Sequence, residues 1–122
     1  MRRILITGAS GFIGRHLVQS LERLKYDVYT TSRRLDGVKN CKSDITSEET
    51  KEFISRISPD TLIHMAGISD VRQSHLRPVE YHKINTGGTL NVLSAMATVP
   101  NSEIIYLNSG GAIYDSDQAL PI

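Results

Sequence analysis

Two rhythms alternate along the 122 residues. Short apolar or β-branched runs stand at Arg3–Thr7 (RILIT), Asp27–Ser32 (DVYTTS), 61–65 (TLIHM) and 104–107 (IIYL). Continuous runs of this length predict strands buried on both faces. Between them the spacing changes. Ile13, Leu17, Leu21 and Leu24 fall four, four and three apart, one face of a helix beginning at Phe12. Thr46-Ser47-Glu48-Glu49 has the capping-box pattern, and Phe53, Ile54 and Ile57 continue it as a second helix. Pro78 is expected to open a long helix carrying Ile84, Leu90, Val92, Leu93 and Met96, broken at Pro100-Asn101.

Strand and helix alternating in this way select a parallel sheet with helices on both faces. Right-handed crossovers leave few topologies. The expected fold is α/β, a Rossmann-type doubly wound parallel sheet in three α/β/α layers, ending after about five strands. No repeat, low-complexity tract or linker divides the chain, so residues 1–122 read as one domain.

Chemistry concentrates where the first strand stops, in the stretch LITGASGFIG at 5–14. A glycine triplet is a weak signal alone and a stronger one between a strand and a helix. Gly8 lets the chain turn sharply, Gly11 lets backbone approach a pyrophosphate, and Gly14 lets the helix pack tightly on the strand. Ser10 lies inside the same turn. The helix start then offers free N–H groups and a partial positive charge to phosphates. The bland alternative is a tight turn without a ligand.

The second strand ends Ser32-Arg33-Arg34 with no acid, and Asp27 lies at its other end. NAD sites usually place an acid there, roughly 20 residues past the glycine loop, on the ribose hydroxyls. A hydroxyl followed by two guanidinium groups suits a 2′-phosphate, so NADP is expected ahead of NAD. A solvated basic turn is the alternative, and Asp36 could still serve as the acid.

Composition narrows the classes. Hydrophobic residues make up 39% and charged residues 22%, with a net charge of +1. That balance fits a soluble globular protein and gives no field favouring nucleic acid or a membrane surface. No apolar run approaches the roughly 18 residues a bilayer span needs, and MRRILITG is too short for a secretory signal. One cysteine, Cys41, excludes an internal disulfide and suits a reducing cytoplasm. His16, His75 and His82 show no ligand spacing with Cys41 or one another, so no metal is expected. His64, inside a strand, reads as a satisfied core histidine rather than a ligand.

The stretches TGASGFIG (7–14), SDIT (43–46), IHMAG (63–67), NTGGTLNVLSAM (85–96) and IIYLNSGGAIY (104–114) follow in order. In their order and spacing they resemble the extended short-chain dehydrogenase/reductases, especially nucleotide-sugar epimerases and dehydratases. The resemblance implies that Phe12 and Ile13 cover the pyrophosphate with their backbone, and that Asp44 and Ile45 contact the adenine. Asp44 reads equally as a cap at the start of the next helix. Met65, Ala66 and Gly67 would line the cofactor. Asn85 would hydrogen-bond near the nicotinamide side, or else satisfy a helix kinked around Gly87-Gly88.

The same resemblance implies a catalytic serine or threonine on the fifth strand and a Tyr-x-x-x-Lys pair for proton transfer. Ser109 takes the hydroxyl position counting from the strand. Gly110 takes it counting back from Tyr114. Ser109 also reads as a plain turn residue. None of the five tyrosines is followed four residues later by lysine. The expectation is therefore the N-terminal portion of a larger enzyme acting by hydride transfer on a nucleotide sugar, with this chain alone inactive. A non-catalytic dinucleotide-binding module or a structural fragment is the alternative. The last strand would leave an unpaired edge and an uncovered apolar face, and self-association, as a dimer, is expected.

Overall fold

Five parallel strands form a single sheet in the computed structural model, which describes residues 1–109. They are β1 (Arg3–Thr7), β2 (Asp27–Ser32), β3 (Asn40–Lys42), β4 (Thr61–His64) and β5 (Glu103–Tyr106). Their order across the sheet is β3-β2-β1-β4-β5. The chain steps outward from β1 to β2 and β3, then crosses back to β4 and β5 on the other side. The order reverses between β1 and β4, the place where open α/β sheets leave a crevice beyond the carboxyl ends of their strands.

Side-chain alternation along β1 explains the layers. Leu5 points to one face, where it is buried with Leu62, Phe53, Ile54, Val92, Ala95 and Met96. The last five come from α2 (Glu48–Ile57) and α5 (Gly88–Met96). Ile4 and Ile6 point to the opposite face with Val28 and Ile63, under Leu17, Val18 and Leu21 of α1 (Phe12–Arg23). A period of two in a central strand thus feeds two cores. Each fully buried aliphatic side chain contributes about 1.5–3 kcal/mol.

Several elements depart from the sequence reading. The stripe of α1 packed on the sheet is Leu17, Val18 and Leu21, all half-buried, with Gly14 buried, while Ile13 and Leu24 are exposed. The cap of α2 is Ser47, whose side chain accepts from the Thr50 N–H at 3.2 Å, one residue later than the Thr46 frame. The strand expected at 61–65 ends at His64, and the one expected at 104–107 is Glu103–Tyr106. A short α3 (Val71–Leu76), capped by Asp70, was not foreseen, because it buries no residue. The helix opened by Pro78 runs as α4 (Pro78–His82), a π-turn (Lys83–Gly87) and then α5.

β3 was also unforeseen. A parallel pair usually needs a crossover of a dozen or more residues, yet only residues 33–39 join β2 to β3. The short link suffices because β3 pairs only with the end of β2, Thr30 with Asn40 and Ser32 with Lys42. The chain doubles back by two residues rather than the whole strand.

Candidate functional site

The carboxyl ends of β1, β2, β3 and β4 open onto one groove of about 280 Å³. Gly8, Ser10 and Gly11 line it from the first turn, Arg33 and Arg34 from the end of β2, Asp44 and Ile45 from beyond β3, and Met65, Ala66 and Gly67 from beyond β4. Ten of the sequence-selected residues therefore share one wall system. Thr31, Ser43, Ile68 and Ile84 also line it. Ser43 belongs to the SDIT stretch without having been singled out, whereas Thr31, Ile68 and Ile84 arrive through topology rather than a motif.

The first turn needs its glycines for reasons visible in the structure. Gly8 has φ +72°, and a Cβ there would lie 2.8 Å from the Ala66 nitrogen. A Cβ at Gly14 would lie 2.5 Å from the Gly8 carbonyl oxygen and 2.7 Å from the Ala9 Cα, so α1 sits directly on the turn. At Gly11 a Cβ would meet only the Gly8 oxygen, at 3.3 Å. Its other side is open to the groove.

The two well-formed helix starts contrast. α2 begins with the Ser47 cap and with Glu48 and Glu49 in its first turn, so its amide ends are answered from within. α1 begins at Gly11 with no side-chain cap and no acid in its first turn. Its amide ends are left for an outside anion, at the edge of the groove.

At the end of β2 the Ser32 hydroxyl accepts from Leu35 N–H at 2.8 Å and Arg34 N–H at 3.3 Å. It shapes the turn that presents the two arginines, and it does not line the groove. Asp36 turns away into a local bond with its neighbour Gly37 N–H. Asp44 accepts from both the hydroxyl and the N–H of Thr46. These bonds, with the nearby Lys83 and Arg33 charges, hold its carboxyl below the ordinary 3.8. The residue makes the turn ahead of α2 rather than the cap itself.

Behind the β4 wall lies a hydrogen-bonded chain. Thr7 Oγ1 accepts from Met65 N–H at 3.0 Å and Ala66 N–H at 3.1 Å, and lies 2.7 Å from His64 Nδ1. His64 Nε2 lies 3.0 Å from Thr89 Oγ1, whose hydroxyl donates to the Asn85 carbonyl at 2.6 Å. His64 is 1% exposed, and burial lowers its pKa from the ordinary 6.5. The sequence reading of His64 as a satisfied core residue agrees with these partners, but Thr7 and Thr89 were missed.

Other selected residues keep their side chains out of the groove. Phe12 and Ile13 point their side chains to solvent, at 75% and 58% exposure. Asn85 lies in the π-turn, and its amide is taken by Ile68, accepting from the N–H and donating to the carbonyl, both at 2.9 Å. It holds the loop after β4 rather than offering a free group. Ser109 is exposed, while Gly110 and Tyr114 lie outside the described residues. Among the described residues no three metal-ligating side chains cluster, and no helix is long and apolar enough to cross a membrane.

Comparison with known proteins agrees with this geometry. Residues 4–122 match the family described as "NAD dependent epimerase/dehydratase family". A UDP-glucose 4-epimerase of Klebsiella pneumoniae is 30% identical over 135 residues, covering 98% of this chain and 96% of that protein. A Methanocaldococcus jannaschii protein assigned as a UDP-glucose 4-epimerase is 35% identical, over 98% of this chain and 42% of its own length. In the next, from Azospirillum brasilense, this chain spans 37% of the protein. Among solved structures, a UDP-glucose 4-epimerase from Brucella ovis in complex with NAD superimposes with a TM-score of 0.86. It is 26% identical over 100% of this chain and 40% of its own.

Proposed function

The chain belongs to the NAD dependent epimerase/dehydratase family, and from that premise we propose that residues 1–122 are its dinucleotide-binding part. The observation that carries the reading is the uncapped start of α1 beside Gly11, opening on the groove at the point where strand order reverses. The residues fit a dinucleotide. Backbone amides of Phe12 and Ile13 would hold the diphosphate beside Gly11, whose own N–H is given to the Gly8 carbonyl at 3.1 Å. Asp44 and Ile45 would border the adenine, and Met65, Ala66 and Gly67 would border the rest of the cofactor. Bound there, the nicotinamide supplies a hydride acceptor and donor.

The finer choice proposed is NADP. Arg33 and Arg34 line the groove at the end of β2, and Asp36 is turned into its own loop. NAD is the second reading, favoured by the NAD named in complex with the Brucella ovis structure. In the whole protein the substrate proposed is a nucleotide sugar, by analogy with the relatives' UDP-glucose chemistry. Ser109 would orient its hydroxyl. The Tyr-x-x-x-Lys pair is absent from the 122 residues, so these residues alone bind without turning substrate over. A cytoplasmic setting suits one unpaired cysteine. Self-association through β5 is proposed because Ile105 and Tyr106, at the sheet edge among the described residues, are 48% and 53% exposed.

Calorimetric titration with NADP and NAD tests the reading. Saturable binding, tighter for NADP, supports it. Tighter binding of NAD would overturn the cofactor choice, and no heat with either would overturn the site.

A further inference from the structure

The hydrogen bonds around His64 admit one arrangement of protons. The Thr89 hydroxyl has a single hydrogen, and it goes to the Asn85 carbonyl. Toward His64 the Thr89 oxygen therefore accepts, and Nε2 carries the proton. Nδ1 is then bare and accepts the Thr7 hydroxyl hydrogen. With its hydrogen turned to the ring, Thr7 Oγ1 presents its lone pairs to Met65 and Ala66 N–H. On the other side Asn85, whose carbonyl ends the Thr89 branch, grips Ile68 at both its N–H and its carbonyl. Both ends of the segment 65–68 are thus tied to one chain of bonds that passes through the imidazole. Met65, Ala66, Gly67 and Ile68 are the part of the groove wall contributed beyond β4.

We infer that His64, in its single Nε2-protonated neutral form, is a positioning residue. By orienting the Thr7 hydroxyl it sets the backbone of 65–68 against which the dinucleotide lies. The inference rests on the dinucleotide reading for its ligand and on the bond pattern alone for its proton. His64 does not line the groove; its face stacks on Tyr106 with ring centroids 5.5 Å apart, and its hydrogen bonds reach the groove wall only through Thr7 and Thr89.

Two substitutions separate positioning from mere packing. In His64→Asn the carboxamide oxygen stands where Nδ1 stood and can accept from Thr7. In His64→Gln the amide reaches the Nε2 place and serves Thr89, leaving Thr7 without its acceptor. Both remove a buried ring. Dinucleotide affinity is expected to stay within about threefold in His64→Asn and to fall about tenfold or more in His64→Gln. The amide resonances of Met65 and Ala66 should shift in the ligand-free His64→Gln protein and stay near their places in His64→Asn. Equal losses in the two variants, or no loss in either, overturn the inference. Should a variant fail to fold, ¹⁵N spectra of the wild-type imidazole decide. A protonated Nε2 with a bare Nδ1 supports it, and an Nδ1-protonated ring or an imidazolium at neutral pH refutes it. A wild type that binds no dinucleotide but shows the expected tautomer would defeat the ligand reading and leave the proton assignment standing.

Discussion

Thr7 at the end of β1 and His64 at the end of β4 are hydrogen-bonded at 2.7 Å, 57 residues apart in the chain. The two strands pair in register at these positions, so the contact is fixed by the sheet. Removing the Thr7 hydroxyl in Thr7→Val keeps the shape and strands the Met65 and Ala66 amides. Each amide left without a partner costs about 1–3 kcal/mol. Thr7→Ser should restore most of the loss. Urea unfolding of the three proteins measures both differences.

The buried imidazole also gives stability a pH dependence. In the unfolded chain His64 takes up a proton near its ordinary 6.5, and in the fold it does so only at lower pH. Between those two values the unfolded state binds more protons. Stability is therefore full above about pH 6.5 and declines on acidification, by at most about 1.4 kcal/mol per pH unit for this one group. His64→Asn should flatten that part of the profile. Unfolding free energies followed from about pH 7 to about pH 5 provide the check.

The glycines should separate by function. Gly14→Ala drives a Cβ to 2.5 Å from the Gly8 oxygen, an overpacking expected to destabilise by about 1–3 kcal/mol. Gly11→Val, whose new Cβ meets only the Gly8 oxygen at 3.3 Å, should disturb folding less. It should weaken dinucleotide binding about a hundredfold, because its branches enter the phosphate's place. Thermal unfolding and titration of the two variants read this division. A Gly11→Val protein with wild-type affinity would contradict it.

Arg33→Ala should weaken NADP more than NAD by about 1–3 kcal/mol, the scale of a lost charge-assisted bond. The difference should shrink as salt is raised, since Arg33 is exposed. Paired titrations at low and high ionic strength test it, and equal losses for the two dinucleotides would remove the role given to the arginine.

What could be read from residues alone follows the range of the forces involved. β1, β2 and the turn at Gly8, Gly11 and Gly14 were legible because a short apolar run and a glycine triplet are local signals. β3 was not, since Asn40, Cys41 and Lys42 form no apolar run and become a strand only beside Thr30, Thr31 and Ser32. Gly87-Gly88 hinted at a kink, but the π-turn at Lys83–Gly87 lies inside an otherwise good helical pattern. Its purpose shows only when Asn85 is seen gripping Ile68. The Thr7–His64–Thr89 chain spans separations of 57 and 25 residues, beyond any spacing rule. Ser32, a serine before two arginines, suits a phosphate by its sequence context. Its hydroxyl instead folds the turn that carries them.

A crystal structure of the chain grown with NADP addresses the central claim most directly. The expected result is a diphosphate lying over the main-chain amides at the start of α1, beside Gly11, with the adenosine end toward Arg33 and Asp44. Dinucleotide density elsewhere on the molecule, or none at the glycine turn under saturating ligand, would contradict it.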